Sequence, residues 1–264
     1  MGCSSRERAT VNIRQRLYPE VAVGGYSRTD TTVEFYVRVG TLIAPHHVLL
    51  DLGAGRGSEH IDAADEPVTK MRDFRGRCAR VIGADVDSAV FENPSLDEAV
   101  QLVGDTLPLD DNSVDIIICD WVAEHISDPA AFVSEIRRVL KPEGWFCART
   151  PNRWGYIGIG TNIVPNKLHV ALLKWLQPNR KEIDVFPTHY RLNTRAAFQK
   201  VFSTNDWQTT AYAVNGEPAY FGNSTFLWRL AQLMFRLLPP DKAAIWLVFA
   251  QRVKSAEVPG SANA

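Results

Sequence analysis

The sequence predicts an α/β protein built on a doubly wound sheet. Residues 47–150 alternate short apolar runs with helical patterns, which is typical of a parallel sheet covered on both faces. One of these runs leads directly into a cluster of glycines, as strands of such sheets do beside a ligand. Hydrophobic residues make up 45% of the 264 residues. This is enough for one large core, and we expect a single elaborated domain spanning residues 1–264.

Five short apolar runs are predicted to be parallel strands. They cover residues 47–52, 79–85, 99–103, 114–120 and 145–149. Between the last two, residues 129–140 place apolar side chains at helical spacing, and Asp128 is a suitable N-cap. The run Lys141-Pro142-Glu143-Gly144 is expected to end this helix. Residues 45–150 are therefore predicted to form the core of the sheet.

The segments on either side are predicted to extend this core. Residues 1–40 form a cap in which residues 32–39 are helical. Residues 152–193 form an insertion after a strand, where α/β proteins place substrate-specific parts. Residues 194–254 are predicted to complete the sheet. They begin with a helix that is capped by Asn193 or Thr194 and runs through Val201. Strands are predicted at 207–214 and 243–253, with an amphipathic helix at 226–238 between them.

Charge and cysteine usage exclude several classes of protein. The chain has 29 Lys and Arg against 30 Asp and Glu, a net charge of −1. A nucleic-acid-binding protein would need clustered basic residues, so no nucleic-acid partner is expected.

No apolar run is long enough to span a membrane, and no secretory signal is present, which predicts a cytoplasmic location. The four cysteines are widely spaced, as expected for reduced thiols: Cys3, Cys78, Cys119 and Cys147.

The glycine cluster is the most informative segment. The predicted strand 47–52 runs into Gly53, Gly55 and Gly57, whose spacing allows a tight turn and a close backbone approach to a ligand. A turn needed for steric reasons alone is the alternative. The third glycine comes one residue earlier than in dinucleotide-binding loops. The spacing therefore indicates a cofactor site but disfavours a dinucleotide.

Asp85 ends the next predicted strand, 32 residues after Gly53. A dinucleotide fold would place its acidic residue about 20 residues on, so this position also disfavours a dinucleotide. A carboxylate at a strand end can accept hydrogen bonds from two ribose hydroxyls. The alternative is that Asp85 caps the following turn near Ser88.

Further motifs follow in a recognisable order. Gly104-Asp105 precedes Leu107-Pro108, and Asp128-Pro129 precedes Glu135-Ile136-Arg137-Arg138 and Pro142-Glu143-Gly144. With the glycine loop and Gly83-Ala84-Asp85, this order resembles the class I S-adenosylmethionine-dependent methyltransferases, in the branch that methylates small molecules. The resemblance covers about residues 47–151. It implies a Rossmann-like, seven-stranded sheet whose last strand is antiparallel.

The resemblance also implies cofactor-binding residues. Asp85 should bind the ribose hydroxyls, Val86 should flank the adenine, and Asp105 should accept from its amine. The backbone around Asp120 should meet the cofactor's ammonium group and open toward the acceptor. The full set of implied cofactor-binding residues is Asp51, Gly53, Ala54, Gly55, Gly57, Asp85, Val86, Gly104, Asp105, Thr106 and Asp120. Glu143 stands where the family often has a glycine, at a turn distant from the cofactor.

The acceptor side is less defined by the sequence. A sulfonium cofactor carries an activated methyl group, so the enzyme mainly aligns the acceptor, and a His can remove a proton from a hydroxyl acceptor. His125, which follows the fourth strand, His189 and Tyr190 are the catalytic candidates, beside His169. A structural role is the alternative for each His. No metal-binding pattern is found, so we expect no metal. Trp154, Tyr156, Trp175 and Phe186 are expected to line an acceptor pocket or to pack a lid.

The sequence therefore predicts a methyltransferase acting on an O, N or C centre of a small-molecule or lipid-like acceptor. A nucleotide-dependent oxidoreductase on the same sheet is one alternative, and a catalytically silent partner subunit is another. The helix 226–238 is expected to pack against its own core. Weak contact with a membrane surface is the alternative, because Arg229 and Arg236 accompany its broad apolar face.

Overall fold

The computed structural model describes residues 13–57, 63, 66–104, 106–156, 158, 187–202, 205–218, 221–222 and 224–253. The described helices are α1 (Ile13–Leu17), α2 (Thr31–Leu42), α3 (Pro67–Arg72), α4 (Pro129–Val139), α5 (Arg195–Val201) and α6 (Thr225–Leu237). The described strands are β1 (Val48–Leu52), β2 (Arg80–Asp85), β3 (Glu98–Gln101), β4 (Val114–Asp120), β5 (Leu140–Pro151), β6 (Trp207–Val214) and β7 (Ile245–Arg252).

These strands form one seven-stranded sheet in the order β3-β2-β1-β4-β5-β7-β6. Strands β1 to β5 are mutually parallel, and β7 lies antiparallel between β5 and β6. The predicted seven-stranded sheet with an antiparallel last strand is confirmed. The order reverses direction at β1, with β2 on one side and β4 on the other. In open α/β sheets ligands bind beyond the carboxyl ends of the strands at this point.

Local capping explains where the helices begin. The Asp128 carboxylate accepts hydrogen bonds from the Ala130 and Ala131 amides at the start of α4, as predicted. Thr194, one of the two predicted caps of α5, accepts from the Ala197 amide. Each cap binds an amide that would otherwise lack a partner at the helix N-terminus.

The two faces of the sheet are covered by separate apolar clusters. One contains Ile117, Ile136 and Phe198, so α4 and α5 pack on that face. The other contains Phe35, Leu49 and Ile118, so α2 packs on the opposite face. Alternate residues along β1 and β4 thus bury both of their faces, as expected for central parallel strands.

Two sequence-based boundaries are wrong. The run Lys141–Gly144 is predicted to be a turn, but β5 already begins at Leu140 and includes it. Glu143 there has a φ of 68°, and the pairing of β4 with β5 shifts register between Val114 and Ile116, so an irregular strand absorbs the turn residues. Strand β3 covers Glu98–Gln101 and not 99–103.

Helix α6 departs from the expectation that it packs into the core. Of its residues, Trp228 and Ala231 are buried. Its other apolar side chains include several that are exposed: Phe226, Leu227, Leu230, Leu233 and Leu237. Helical spacing shows that a helix has an apolar face, but it does not show whether that face points to the core or to solvent. The sequence therefore does not predict the orientation of α6.

Candidate active site

The carboxyl ends of the central strands bring three acidic residues to one edge of the sheet. Asp51 lies in β1, Asp85 ends β2 and Asp120 ends β4. The parallel register aligns Asp51 with Gly83 of β2 and Ile118 of β4. The edge beyond these residues is where the sheet reverses order, so it is the candidate site.

The glycine loop leaves β1 at this edge with three residues in the left-handed region. The φ angles of Gly53, Gly55 and Gly57 are 80°, 52° and 64°. A Cβ on Gly53 would lie 2.2 Å from a methyl carbon of Val122, and one on Gly57 would lie 2.2 Å from the Asn93 amide oxygen. The protein's own packing therefore requires glycine at these two positions.

Gly55 differs from the other two glycines of the loop. A Cβ on Gly55 would meet nothing within 4 Å, so this part of the loop faces open space. The Gly55 amide donates a hydrogen bond to the Asp85 carboxylate at 2.9 Å. The loop is thus tied to the end of β2 while its outer surface is left accessible to a ligand.

Asp85 links the loop to the following turn. One oxygen accepts from the Gly55 amide and the other accepts from the Asp87 amide at 2.8 Å. The turn that begins at Ser88 is capped by Asp87, whose carboxylate accepts from the Ala89 amide at 2.9 Å, and not by Asp85. The bond from the Asp87 amide to Asp85 lies just before that turn and does not exclude ligand binding. A carboxylate offers about four lone-pair positions, and these two bonds leave capacity for hydroxyl donors.

A cleft lies beside the loop. Its lining includes Asp51, Ala54 and Gly57 of the β1 segment, Tyr36 of α2 and Arg72 of α3. The last two were not identified from the sequence. They come from helices whose position against the loop is set by the tertiary fold, and no local motif marks them.

The other predicted cofactor residues lie around the same strand ends. Val86 follows β2 and is exposed. Gly104 has a φ of 81°, and a Cβ placed on it would meet nothing within 4 Å. Thr106 is exposed. Asp105 lies outside the described residues. These positions follow β2 and β3, as the adenine side of the predicted site requires.

Glu135 and Arg138 fasten the loop after Thr106 to α4. The Glu135 carboxylate accepts from the Leu107 amide at 2.7 Å and from the Arg138 guanidinium at 2.7 Å. Arg138 in turn donates to the Leu107 and Leu109 carbonyl oxygens, each at 2.8 Å. The hydrogen bonds from Arg138 lower the pKa of Glu135. The sequence marks both residues as motif positions but does not reveal this role.

Asp120 is held by a buried ion pair. Its two carboxylate oxygens accept from Arg149 at 2.7 and 2.8 Å, and both side chains are nearly inaccessible. The Tyr36 hydroxyl donates to the same carboxylate at 3.1 Å, and Arg149 donates to the Thr32 hydroxyl at 2.6 Å. Burial, and next the Asp120 carboxylate, raise the pKa of Tyr36 well above its usual range. The Asp120 side chain thus anchors α2, and the backbone beside it remains the predicted ligand contact.

The acceptor-side candidates meet where the insertion rejoins the sheet. His125 is half-buried, and its Nδ1 lies 2.8 Å from the Pro187 carbonyl oxygen. The amides of His189 and Tyr190 both donate to the Glu124 carbonyl, at 2.7 and 3.0 Å. The structure therefore brings these three candidates together. His189 is exposed, whereas Tyr190 is buried with a φ of 51°. His169, Trp175 and Phe186 lie outside the described residues.

A buried polar cluster supports this junction and was missed by sequence reasoning. The Thr150 hydroxyl donates to the Glu124 carboxylate at 2.9 Å, and the Asn193 amide donates to the Thr150 hydroxyl at 2.7 Å. All three side chains are buried. The cluster joins the segment that follows β4, strand β5 and the end of the insertion, so only the assembled fold brings its members into contact.

Sequence comparison identifies the domain that carries this geometry. Residues 50–148 match the family described as a methyltransferase domain. A probable S-adenosylmethionine-dependent methyltransferase of Mycolicibacterium smegmatis is 44% identical over 79 residues, which are 28% of this chain and 30% of that protein. Residues 50–148 are therefore similar to methyltransferase domains. The name of this relative gives S-adenosylmethionine as the cofactor of that protein.

A second curated relative is also named as a methyltransferase. An uncharacterized methyltransferase of Bacillus subtilis is 34% identical over 102 residues, 38% of this chain and 39% of that protein. The chain therefore covers less than half of the length of either curated relative. Among solved structures, the YcgJ protein of Bacillus subtilis has a TM-score of 0.51 at 19% identity, over 85% of this chain and 99% of that one.

A second solved structure supports the fold assignment. Geranyl diphosphate C-methyltransferase from Streptomyces coelicolor, in complex with Mg²⁺, geranyl diphosphate and S-adenosyl-L-homocysteine, has a TM-score of 0.51 at 17% identity. The match covers 84% of this chain and 80% of that one. At this identity the likeness shows the fold alone.

The residues around the glycine loop of this chain fit S-adenosylmethionine, the cofactor named for that relative. At Gly55 no side chain blocks access to the main chain of the loop. The Asp85 carboxylate can still accept hydrogen bonds from ribose hydroxyls. Asp51 and Arg72 give the neighbouring cleft opposite charges, which suits the ammonium and carboxylate groups of an amino acid. Within the described ranges, no group of three or more His, Cys, Asp or Glu side chains is placed to hold a metal ion. Metal independence stays a prediction.

Proposed function

We propose that the protein transfers a methyl group from S-adenosylmethionine to a small-molecule or lipid-like acceptor. One observation carries this proposal: the domain match at residues 50–148 contains a cradle in which the Gly55 amide is bonded to Asp85 at 2.9 Å. The cradle lies at the edge where the sheet reverses order. The atom that receives the methyl group is an O, N or C centre.

The residues of this chain bind and orient the reactants. When bound, S-adenosylmethionine supplies an activated methyl group, so the protein needs no covalent nucleophile. The Gly53–Gly57 loop supplies main-chain contacts, and Asp85 orients the ribose. Alignment of the acceptor and exclusion of water are then the main catalytic contributions of the protein.

For a hydroxyl acceptor, His125 is the base that the geometry favours. A carbonyl oxygen can only accept, so the contact with Pro187 at 2.8 Å places the proton of the neutral ring on Nδ1. The lone pair is then on Nε2, which takes the proton of the hydroxyl group. His189, exposed beside it, is the second candidate. Tyr190 is buried, which favours a supporting role over contact with the acceptor.

Calorimetry with S-adenosylhomocysteine tests cofactor binding. We expect binding by the unaltered protein and a loss of at least about tenfold in affinity for Asp85→Asn, since a charge-assisted hydrogen bond contributes about 1.5–3 kcal/mol. Asp97→Asn is the matched control. Asp97 flanks the other end of β2 and also accepts from a main-chain amide, that of Val81, at 2.8 Å. Absent binding, or equal affinity in the two variants, would contradict the proposal.

The two alternative functions are tested with the same protein. Titration with NADH distinguishes a nucleotide-dependent oxidoreductase, for which the domain match gives no support. A catalytically silent partner subunit is distinguished by incubation with labelled S-adenosylmethionine and a metabolite extract. Transfer of label to an extract component, lost on His125→Gln or Asp85→Asn, is the result expected of an enzyme.

We also propose a cytoplasmic location, supported by the cysteines. Cys78, Cys119 and Cys147 are free thiols and buried, as is usual in a reducing compartment. No helix among the described residues is long and apolar enough to cross a bilayer.

A further inference from the structure

Helix α6 carries an exposed apolar ridge. Phe226, Leu230, Leu233 and Leu237 follow one another at spacings of four, three and four residues, which places them on one line along the helix. Their exposed fractions lie between 51% and 76%. The opposite side of the helix holds the buried Trp228. The helix is therefore anchored by one face and offers the other to a partner.

Charge identifies the kind of partner. Arg229 and Arg236 are exposed, and their positions on the helix place both along the same flank of the ridge. Residues 225–238 contain no Asp or Glu. A helix with an apolar ridge, basic residues beside it and no acidic residues fits the boundary between the acyl chains and head groups of an anionic bilayer.

A second observation lies just beyond the C-terminal end of α6. Trp154 is 52% exposed as a residue. Lys242 Nζ lies 5.4 Å and Arg153 Cζ 5.6 Å from the centre of its ring. An exposed tryptophan beside cations is typical of membrane interfaces, where the ring lies at head-group level.

The position of α6 connects this surface to the active site. Tyr156, at the start of the insertion, stacks on Phe235 of α6 with ring centres 5.2 Å apart. Gly155 lies against Ala244, directly before β7. The carboxyl end of β5 and the amino end of antiparallel β7 share the sheet edge that holds Asp51 and Asp85. The exposed ridge therefore lies on an element that packs beside the acceptor side of the site.

We propose that α6 docks the protein on the surface of an anionic membrane. The apolar ridge enters the head-group region, and Arg229 and Arg236 bind lipid phosphates. The site edge is thereby brought toward the bilayer. Vesicle binding requires neither cofactor nor acceptor, so its result is independent of the result for methyl transfer.

Vesicle sedimentation at neutral pH tests the proposal with the full chain. We expect binding to vesicles made of equal parts phosphatidylcholine and phosphatidylglycerol, and weak binding to phosphatidylcholine alone. Because each basic residue near an anionic surface contributes about fivefold, Arg229→Gln/Arg236→Gln should weaken binding by at least about tenfold. Arg75→Gln/Arg80→Gln removes the same charge next to the amino end of β2, where both arginines are exposed, and should have a much smaller effect.

The apolar contribution is tested by Leu233→Ser against Val37→Ser. Both residues lie in helices, with exposed fractions of 53% and 49%. Leu233→Ser should lower the partition coefficient by about fivefold or more, and Val37→Ser should leave it unchanged. Circular dichroism and S-adenosylhomocysteine binding confirm that each variant is folded.

Three outcomes would overturn the proposal. The first is no binding to anionic vesicles. The second is binding that responds equally to the α6 variants and to their controls. The third is that the unaltered protein forms a dimer and does not bind vesicles, and that Leu233→Ser converts the dimer to a monomer. The ridge would then be a contact between two copies of the chain.

Discussion

Gly55 and Gly76 form a matched pair that separates backbone strain from ligand contact. Their φ angles are 52° and 72°, and a Cβ on either would meet nothing within 4 Å. Gly55 lies in the loop bonded to Asp85, whereas Gly76 precedes the amino end of β2. Substitution by Ala should therefore cost both variants about 1–2 kcal/mol of unfolding free energy, from strain alone.

Cofactor affinity should distinguish the two variants. We expect Gly55→Ala to weaken S-adenosylhomocysteine binding by more than about tenfold, because the new methyl group enters the open side of the loop. A loss of about 1.4 kcal/mol of binding free energy is enough for a tenfold loss of affinity. Gly76→Ala should bind as the unaltered protein does. Urea denaturation and calorimetry on both variants provide the comparison. Equal affinities would show that the loop does not approach the cofactor at Gly55.

The buried pair Asp120–Arg149 should be costly to break from one side. Asp120→Ala leaves a guanidinium that is 4% exposed without its carboxylate, which should lower the unfolding free energy by about 3–5 kcal/mol. The double variant Asp120→Ala/Arg149→Leu should be more stable than Asp120→Ala, since no charge stays buried. A double-mutant cycle in urea measures the coupling. If the two single costs simply add, the pair is not coupled.

At the level of residues, sequence reasoning predicts what is local. Asp85 and the glycine loop are recognisable because Asp85 ends a strand and the loop directly follows one. The Asp120–Arg149 pair is not, because it depends on the parallel register that places Asp120 opposite Arg149 in β5. The Glu124–Thr150–Asn193 cluster is hidden for the same reason. Its members lie 26 and 43 residues apart and meet only in the folded protein.

Helix α4 and the loop after Thr106 are joined through Glu135 and Arg138. The pKa of Glu135 is lowered from 4.5 by the hydrogen bonds from Arg138, so the folded state favours the ionised carboxylate. This stabilisation is fully present above pH 4.5 and is lost as the pH falls through the lower folded pKa. Glu135→Gln should therefore destabilise the protein by about 1 kcal/mol at neutral pH and much less at an acidic pH below the folded pKa of Glu135.

Urea denaturation at the two pH values measures this difference. Glu98→Gln is the control, because Glu98 forms an exposed ion pair with Arg80 and should contribute little at either pH. Glu135→Gln should also weaken S-adenosylhomocysteine binding if the loop that contains Thr106 contacts the adenine. A destabilisation by Glu135→Gln that is the same at both pH values would contradict the role of the ionised carboxylate.

At the level of elements, strands were predicted better than the orientation of helices. Strands β4 and β6 have the predicted bounds, because apolar runs between turn residues mark them clearly. The start of β5 was missed because Pro142 and Gly144 are typical of turns, and here they lie in an irregular strand. For α6 the sequence defines the apolar ridge, but the direction it faces depends on which side Trp228 anchors.

At the level of the whole molecule, the N-terminal segment contacts the C-terminal half. Arg14 of α1 forms a salt bridge with Glu217 at 2.7 Å. Tyr18 packs edge-on against Trp228 of α6, with ring centres 6.3 Å apart. Tyr212 of β6 donates to Glu34 of α2 at 3.0 Å. Contacts between segments so distant in sequence favour cooperative unfolding, as the predicted single domain requires.

The cysteines allow this cooperativity to be measured at separate places in the sheet. Cys78 precedes β2, Cys119 lies in β4, and Cys147 lies in β5 opposite Phe249 of β7. Burial raises the pKa of all three thiols, so each should resist alkylation in the folded state. Pulsed iodoacetamide labelling with mass spectrometry measures the urea concentration at which each thiol becomes accessible. If the sheet unfolds as one unit, the three thiols should have the same urea midpoint, equal to the unfolding midpoint from circular dichroism. Labelling of Cys147 at lower urea than Cys78 would show that the β5–β7–β6 side unfolds separately, and the single-domain prediction would be wrong.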